Sequence, residues 1–170
     1  MKRTQSIKRL LTTVTLLVMG LCYAQGQMNA GIPVFVDIQL ESGAITVPSF
    51  SSGTDLTNGL ETSVVRFKIK ANKDWKVDTE IGTIVATPIP NGPSTILHPL
   101  TYSHFSYIVS PNHNNNYNPP VAFSSPLVTV LTGTRTGFDK RFSIKFKITP
   151  GFSVDPAAYT IPIIYTISPD

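Results

Sequence analysis

Apolar and polar residues alternate with a period of two along several stretches of the chain. The clearest is the stretch in which Val65, Phe67, Ile69 and Ala71 interleave with Val64, Arg66, Lys68 and Lys70. An extended strand sends successive side chains to opposite faces, so this stretch has one apolar and one basic face. A helix would scatter the same residues around its circumference. The rhythm recurs where Phe142, Ile144, Phe146 and Ile148 alternate with Arg141, Ser143, Lys145 and Lys147. It returns at the C-terminal end, where Tyr159, Ile161, Ile163, Tyr165 and Ile167 alternate with Thr160, Pro162, Ile164 and Thr166. Pro162 has no backbone donor, which predicts an edge strand or a bulge at that point. Further strands are expected over Val34 to Leu40, Ala44 to Phe50, Trp75 to Asp78, Thr83 to Ala86, Phe105 to Val109 and Leu127 to Leu131.

Turn chemistry separates these runs. Asn72-Lys73-Asp74 divides one strand from Trp75, and Pro150-Gly151 with Asp155-Pro156 interrupts the chain between the last two. Many short strands with such punctuation, and almost no helix-forming tract, predict an all-β fold. The expected architecture is a single immunoglobulin-like β-sandwich over residues 25–170, without the cysteine pair of antibody domains; a closed barrel is the alternative. Two stretches rich in Pro, Asn and Ser, Pro88 to Ser103 and Ser110 to Ser125, read as long surface loops.

The first residues follow a different logic. Lys2, Arg3, Lys8 and Arg9 precede an apolar run from Leu10 to Leu21 that ends at Cys22-Tyr23-Ala24, the pattern of a secretory signal peptide over residues 1–24 with cleavage before Gln25. Export to the periplasm, the cell surface or the extracellular space is the expectation. Cleavage also changes the charge balance. Four of the fourteen basic residues lie in this leader and all ten acidic residues lie outside it, so the remainder is formally neutral and the precursor's +4 does not argue for a nucleic-acid partner. The chain's one cysteine, Cys22, leaves with the leader, and no later apolar stretch is long enough to span a membrane. Stability then depends on packing.

Chemistry is sparse. Asp74, Asp78 and Glu80 form the one close carboxylate group but lack the Gly-containing Asp-x-Asp loop of a calcium site, and a solvated turn and strand face is the favoured reading. His98, His104 and His113 show no His-x-x-x-His spacing, and no Gly-x-Ser-x-Gly elbow or Ser-x-x-Lys pair accompanies the serines. The reading is a non-enzyme with no cofactor and no metal. Trp75 at a strand start reads as a core anchor, with stacking on a sugar ring as the alternative. The basic rows Arg66, Lys68, Lys70 and Lys145, Lys147 would form an anion-binding patch if their strands were neighbours, but solvated outer faces are favoured. The most distinctive local sequence is Asn112, His113, Asn114, Asn115, Asn116, Tyr117 and Asn118, followed by two prolines. Its amides and single aromatic would suit sugar hydroxyls or a protein partner, and a flexible, solvated loop tip is the favoured alternative.

The rhythm of Phe142 to Ile148 followed by Tyr159 to Ile167 resembles the ending of bacterial pilin, fimbrial and spore-coat-U-like secreted sandwiches. The segment Val65 to Val77, a strand, an Asn-Lys-Asp turn and a Trp, resembles Ig-like modules of bacterial surface proteins, including the BACON type associated with carbohydrate recognition. Both resemblances imply an immunoglobulin-like sandwich on an exported protein. The chain departs from typical fimbrial subunits in having no pair of cysteines for a disulfide.

Sheet-edge physics adds a mechanism. Val34, Val36, Ile38 and Leu40 fall on one face of the first strand, with Phe35, Asp37, Gln39 and Glu41 on the other. Such a segment could complete a neighbour's sheet, contributing main-chain hydrogen bonds while alternate side chains fill apolar pockets; the simpler reading, that it is the first strand of its own sandwich, is favoured. The sequence reading is therefore a secreted structural protein, a subunit of a fimbria-like or coat-like assembly with copies of itself or other surface proteins as partners. The alternative is a small carbohydrate-binding or adhesion module.

Overall fold

The structure is a computed structural model that describes residues 33–43, 45–47 and 49–170. The leader assigned to residues 1–24 lies outside the described residues, and the fold is that of the unit Val34–Asp170.

Within this unit the strands are β1 (Val36–Ser42), β2 (Leu60–Glu61), β3 (Val65–Ala71), β4 (Trp75–Ile81), β5 (Val85–Thr87), β6 (Phe105–Ser110), β7 (Val121–Ala122), β8 (Leu127–Gly133), β9 (Thr136–Ile148), β10 (Ala158–Thr160) and β11 (Ile163–Pro169). They form an all-β sandwich. The larger sheet has the order β1-β3-β9-β6-β7, with β2 also pairing β9, and the smaller has the order β11-β4-β8. A two-stranded ribbon, β10-β5, lies beside them, and all of these pairings are antiparallel.

The core is the apolar face of each period-two run. Phe142, Ile144, Phe146 and Ile148 of β9 are buried, as are Val65, Phe67, Ile69 and Ala71 of β3 and Trp75, Val77 and Ile81 of β4. Rings knit the two sheets together: Phe67 stacks on Phe142 at 5.1 Å between centroids and meets Tyr165 of β11 at 4.6 Å. Trp75 is a core anchor, 1% exposed, whose indole Nε1 donates to the Thr134 carbonyl at 3.1 Å.

Two expected strands differ from the structure. The described residues of Ala44 to Phe50 do not form a strand. Gly43, at φ +105°, turns the chain away from β1, and a Cβ there would lie 2.5 Å from the Val64 carbonyl oxygen. Beyond it the segment makes a reciprocal contact with Ser63, through Ser63 N to Thr46 O at 3.0 Å and Thr46 N to Ser63 Oγ at 2.8 Å. The C-terminal run, read as one strand, is two: β10 and β11 flank Ile161-Pro162, where the missing proline donor interrupts the ladder. A six-residue helix, α1 (Gly53–Asn58), falls where the sequence predicts none. Its start is a capping box, in which Ser52 Oγ accepts from Asp55 N at 3.1 Å and Asp55 Oδ2 accepts from Ser52 N at 2.9 Å. Hydrogen bonds from the Ser51 backbone, and then from the Ser51 hydroxyl and Ser52, hold the Asp55 carboxyl below the ordinary carboxylate range.

Thr79 and Tyr165 face each other across the β4–β11 pairing, and each carries a buried hydroxyl without a hydrogen-bond partner among the described residues. Burial pushes the Tyr165 phenol upward. An unpaired buried hydroxyl carries its desolvation penalty with no return, so Thr79→Val, which keeps the shape, is expected to raise stability by about 1 kcal/mol. A higher urea midpoint with an unchanged slope is the check.

Candidate functional site

The two sheets are unequal in width. The larger sheet has five strands in its main order and the smaller has three, with β1 of the larger sheet close to β11 and β6 close to β8. On β1, the inward series Val36, Ile38 and Leu40 pairs with Ala71, Ile69 and Phe67 of β3. Val36 and Ile38 pack against the core, but Leu40 is 61% exposed and Val34, just before the strand, is 62% exposed. In the sheet order β11 pairs only with β4, so its other edge carries no strand among the described residues.

An apolar groove opens at the start of β11, by the β10–β11 junction. Its inner part is lined by Ile45, Val47, Thr62, Phe105, Phe146, Ile148, Tyr159, Thr160, Ile161 and Ile163. Its outer part, about 550 Å³, shares Val47, Ile148, Tyr159 and Ile161 and adds Phe50, Leu56, Ile89, Leu100, Val154 and Asp155 among others. The floor is therefore the end of β9, one wall is the β10–β11 junction, and the other is the non-strand segment after β1. Thr62, Asp155 and Tyr159 within it are engaged by the protein. Asp155 Oδ2 accepts from Leu97 N at 2.7 Å and His98 N at 2.8 Å, and the Tyr159 hydroxyl donates to the Asp155 carbonyl at 2.7 Å. The His98 and Leu97 amides hold the Asp155 carboxyl below the ordinary carboxylate range, while burial raises the Tyr159 phenol. Such a groove suits an apolar, extended occupant more than a polar small molecule.

The Asn-rich loop lies elsewhere, folded over the outer face of the larger sheet. His113 and Asn115 take left-handed backbone conformations, with φ of 55° and 60°. His113 Nδ1 is 2.8 Å from Ser143 Oγ, Asn114 Oδ1 accepts from Ser110 Oγ at 3.2 Å and Asn116 N at 3.1 Å, and Asn112 Oδ1 accepts from Lys140 Nζ at 2.6 Å. The Tyr117 ring lies under Lys145 Nζ, 4.6 Å from its centroid. Beneath this cover Ile108, Ser110 and Ser143 are buried. Asn114, Asn115, Asn116 and Asn118 remain exposed.

The basic rows do fall on neighbouring strands, with Arg66 opposite Ser143 and Lys68 opposite Arg141. Acids partner most of them. Asp139 takes Lys68 at 2.5 Å and Lys70 at 3.6 Å, Glu41 takes Arg141 at 2.9 Å, and Glu61 takes Lys145. The Lys68 hydrogen bond, assisted by both lysine charges, holds the Asp139 carboxyl below the usual range. The carboxylates Asp74 and Asp78 are likewise engaged, Asp74 by the Arg135 amide at 2.9 Å and Asp78 by the Thr129 hydroxyl at 2.5 Å. The three histidines have separate partners: His98 N donates to Asp155 Oδ2, His104 Nδ1 accepts from Thr101 N at 3.0 Å, and His113 lies on the outer face. Among the described residues no cluster of His, Cys, Asp or Glu could hold a metal, and no helix is long and apolar enough to cross a membrane.

Sequence reasoning placed the first strand but missed the groove, because its residues come from separate segments of a chain with no motif linking them. The available signal was local: the Pro162 interruption marks where the wall bends away from the β4 ladder.

No family model matches the chain, and no curated protein matches it. Among solved structures, the crystal structure of the P pilus rod subunit PapA is similar over 73% of this chain and 97% of that chain, with 11% sequence identity and a TM-score of 0.34.

Proposed function

We propose that the protein is a non-enzymatic structural subunit of a periplasmic, surface or extracellular assembly, joined by strand addition at the groove beside β11. The observation that carries this reading is the smaller sheet's β11 edge, which pairs with no strand among the described residues and has an apolar groove at its start; Leu40 and Val34 are exposed as well. A strand laid along β11 would satisfy its free backbone groups and cover that apolar surface in one step. The added strand is Val34, Val36, Ile38 and Leu40 of a second copy, which pairs with β3 in its own chain when unassembled. The single-domain extent, residues 25–170, and the leader over residues 1–24 belong to the same reading.

The test is the molar mass of the chain processed before Gln25, measured by light scattering across a concentration series. Ordered multimers that grow with concentration are expected, and a monomer at every concentration would overturn strand addition. A second reading, glycan recognition, rests on the exposed row Asn114, Asn115, Asn116 and Asn118. It requires saturable glycan binding that disappears in an Asn115→Ala, Asn116→Ala double variant with unchanged molar mass. Against it stands the engagement of Asn112, His113 and Tyr117 by the sheet beneath.

A further inference from the structure

The loop between β5 and the 3-10 turn at Tyr102–His104 forms part of the outer wall of the groove, contributing Ile89 and Leu100. At its start it is tied to the ribbon, where Thr87 pairs with Ala158. At its end Leu100 is sunk into the core, 6% exposed. Between these anchors the ties to the connection after β9 converge on one residue. The Asp155 carboxylate accepts from both Leu97 N and His98 N, and Asp155 N donates to the His98 carbonyl at 2.9 Å. Asp155 also touches the opposite wall, since its carbonyl accepts the hydroxyl of Tyr159. The strap also presents an apolar side chain to solvent, with Leu97 73% exposed.

We propose that Asp155 is a latch: its carboxylate clamps the loop of residues 88–101 against the connection of residues 149–157, and losing that clamp opens the outer part of the groove. One ionised oxygen accepting two backbone amides is a strong, directional tie, and nothing of comparable strength joins the same two segments among the described residues. The charged and titratable groups facing it are His98 on the strap, which attracts the carboxylate, and Tyr159 on the ribbon. The latch holds above the ordinary carboxylate range and releases only as pH falls through the depressed native value, because a lowered native pKa gives stability that protonation removes. The inference deepens the assembly reading by giving its site a device that regulates access, but strap opening is read without any multimer, so the two can fail separately.

Hydrogen exchange on the purified chain tests the latch, with an apolar fluorescent dye as the second readout. At neutral pH, Asp155→Ala is expected to speed exchange of the Leu97 and His98 amides and of the residue 155 amide, which donates to the His98 carbonyl across the two segments, about tenfold or more, with β3 and β9 amides unchanged and dye emission raised. Faster exchange confined to Leu97 and His98, with the residue 155 amide and the dye unaffected, would overturn the proposal and leave Asp155 a local loop cap. If the variant unfolds, the wild-type chain taken downward through the carboxylate range decides. Selective loss of protection at residues 97, 98 and 155 ahead of the core supports the latch, and simultaneous loss everywhere refutes it.

Discussion

Replacing Gly133 by alanine is expected to destabilise the protein by about 3 kcal/mol, the upper range for forcing an atom into a packed core. Gly133 lies directly opposite Trp75 in the β4–β8 ladder, and the indole lies across the space a side chain would occupy. An added Cβ would fall 2.2 Å from Trp75 Cζ2 and 2.6 Å from Cε2. Neither partner can give way easily. Gly133 is fixed by its ladder, while Trp75 is held by burial and by the bond from Nε1 to the Thr134 carbonyl, one residue further along the same chain. Moving the ring to make room would therefore break that bond and open the core at the end of the smaller sheet. Urea unfolding followed by fluorescence of this single tryptophan measures the effect. A loss below about 1 kcal/mol would mean that the indole slides aside at little cost and is not a core anchor.

The same pair illustrates what the sequence made legible. A lone tryptophan after a turn is readable as a core anchor because its size leaves few other places for it. Its partner is not readable, because a glycine at the end of Leu127–Gly133 looks like a turn signal until the opposing strand is known. The period-two runs at Val65 to Ala71 and Arg141 to Ile148 were legible for a physical reason: each has one face buried and one solvated, so the pattern records both environments. The segment from Ala44 to Phe50 carries β-forming residues, yet the turn at Gly43 takes it off the sheet. Its apolar side chains Ile45 and Val47 face a groove rather than a partner strand. Apolar residues lining an open site and apolar residues filling a core leave the same trace in a sequence. The Asn-rich loop is a related case: its asparagines are exposed, as its composition reads, while its contacts with Ser143, Lys140 and Lys145 depend on cross-strand neighbours that composition does not reveal.

Fold and assembly should separate when the groove is altered at its floor and at its rim. Phe146 has no exposed surface, its ring lies 6.2 Å from Phe123 and 6.5 Å from Tyr165 between centroids, and it forms part of the floor. Phe146→Ala removes a ring that both sheets pack against, and the expected cost is about 3–5 kcal/mol, visible as a much lower urea midpoint. Ile161 is half-buried, lies between β10 and β11 outside any ladder, and lines both parts of the groove. Ile161→Ser should cost only about 1 kcal/mol, since Ile161 packs only partly against the core and no backbone pairing depends on it. A polar group at that point would nonetheless face the apolar side chains of an incoming strand, which could cover it only by leaving it unpaired. The rim variant is therefore expected to remain folded and to stay monomeric at concentrations where the unaltered chain multimerises, as measured by light scattering. If Ile161→Ser multimerises like the unaltered chain, the added strand does not use this groove, and the free edge of β11 is covered in some other way.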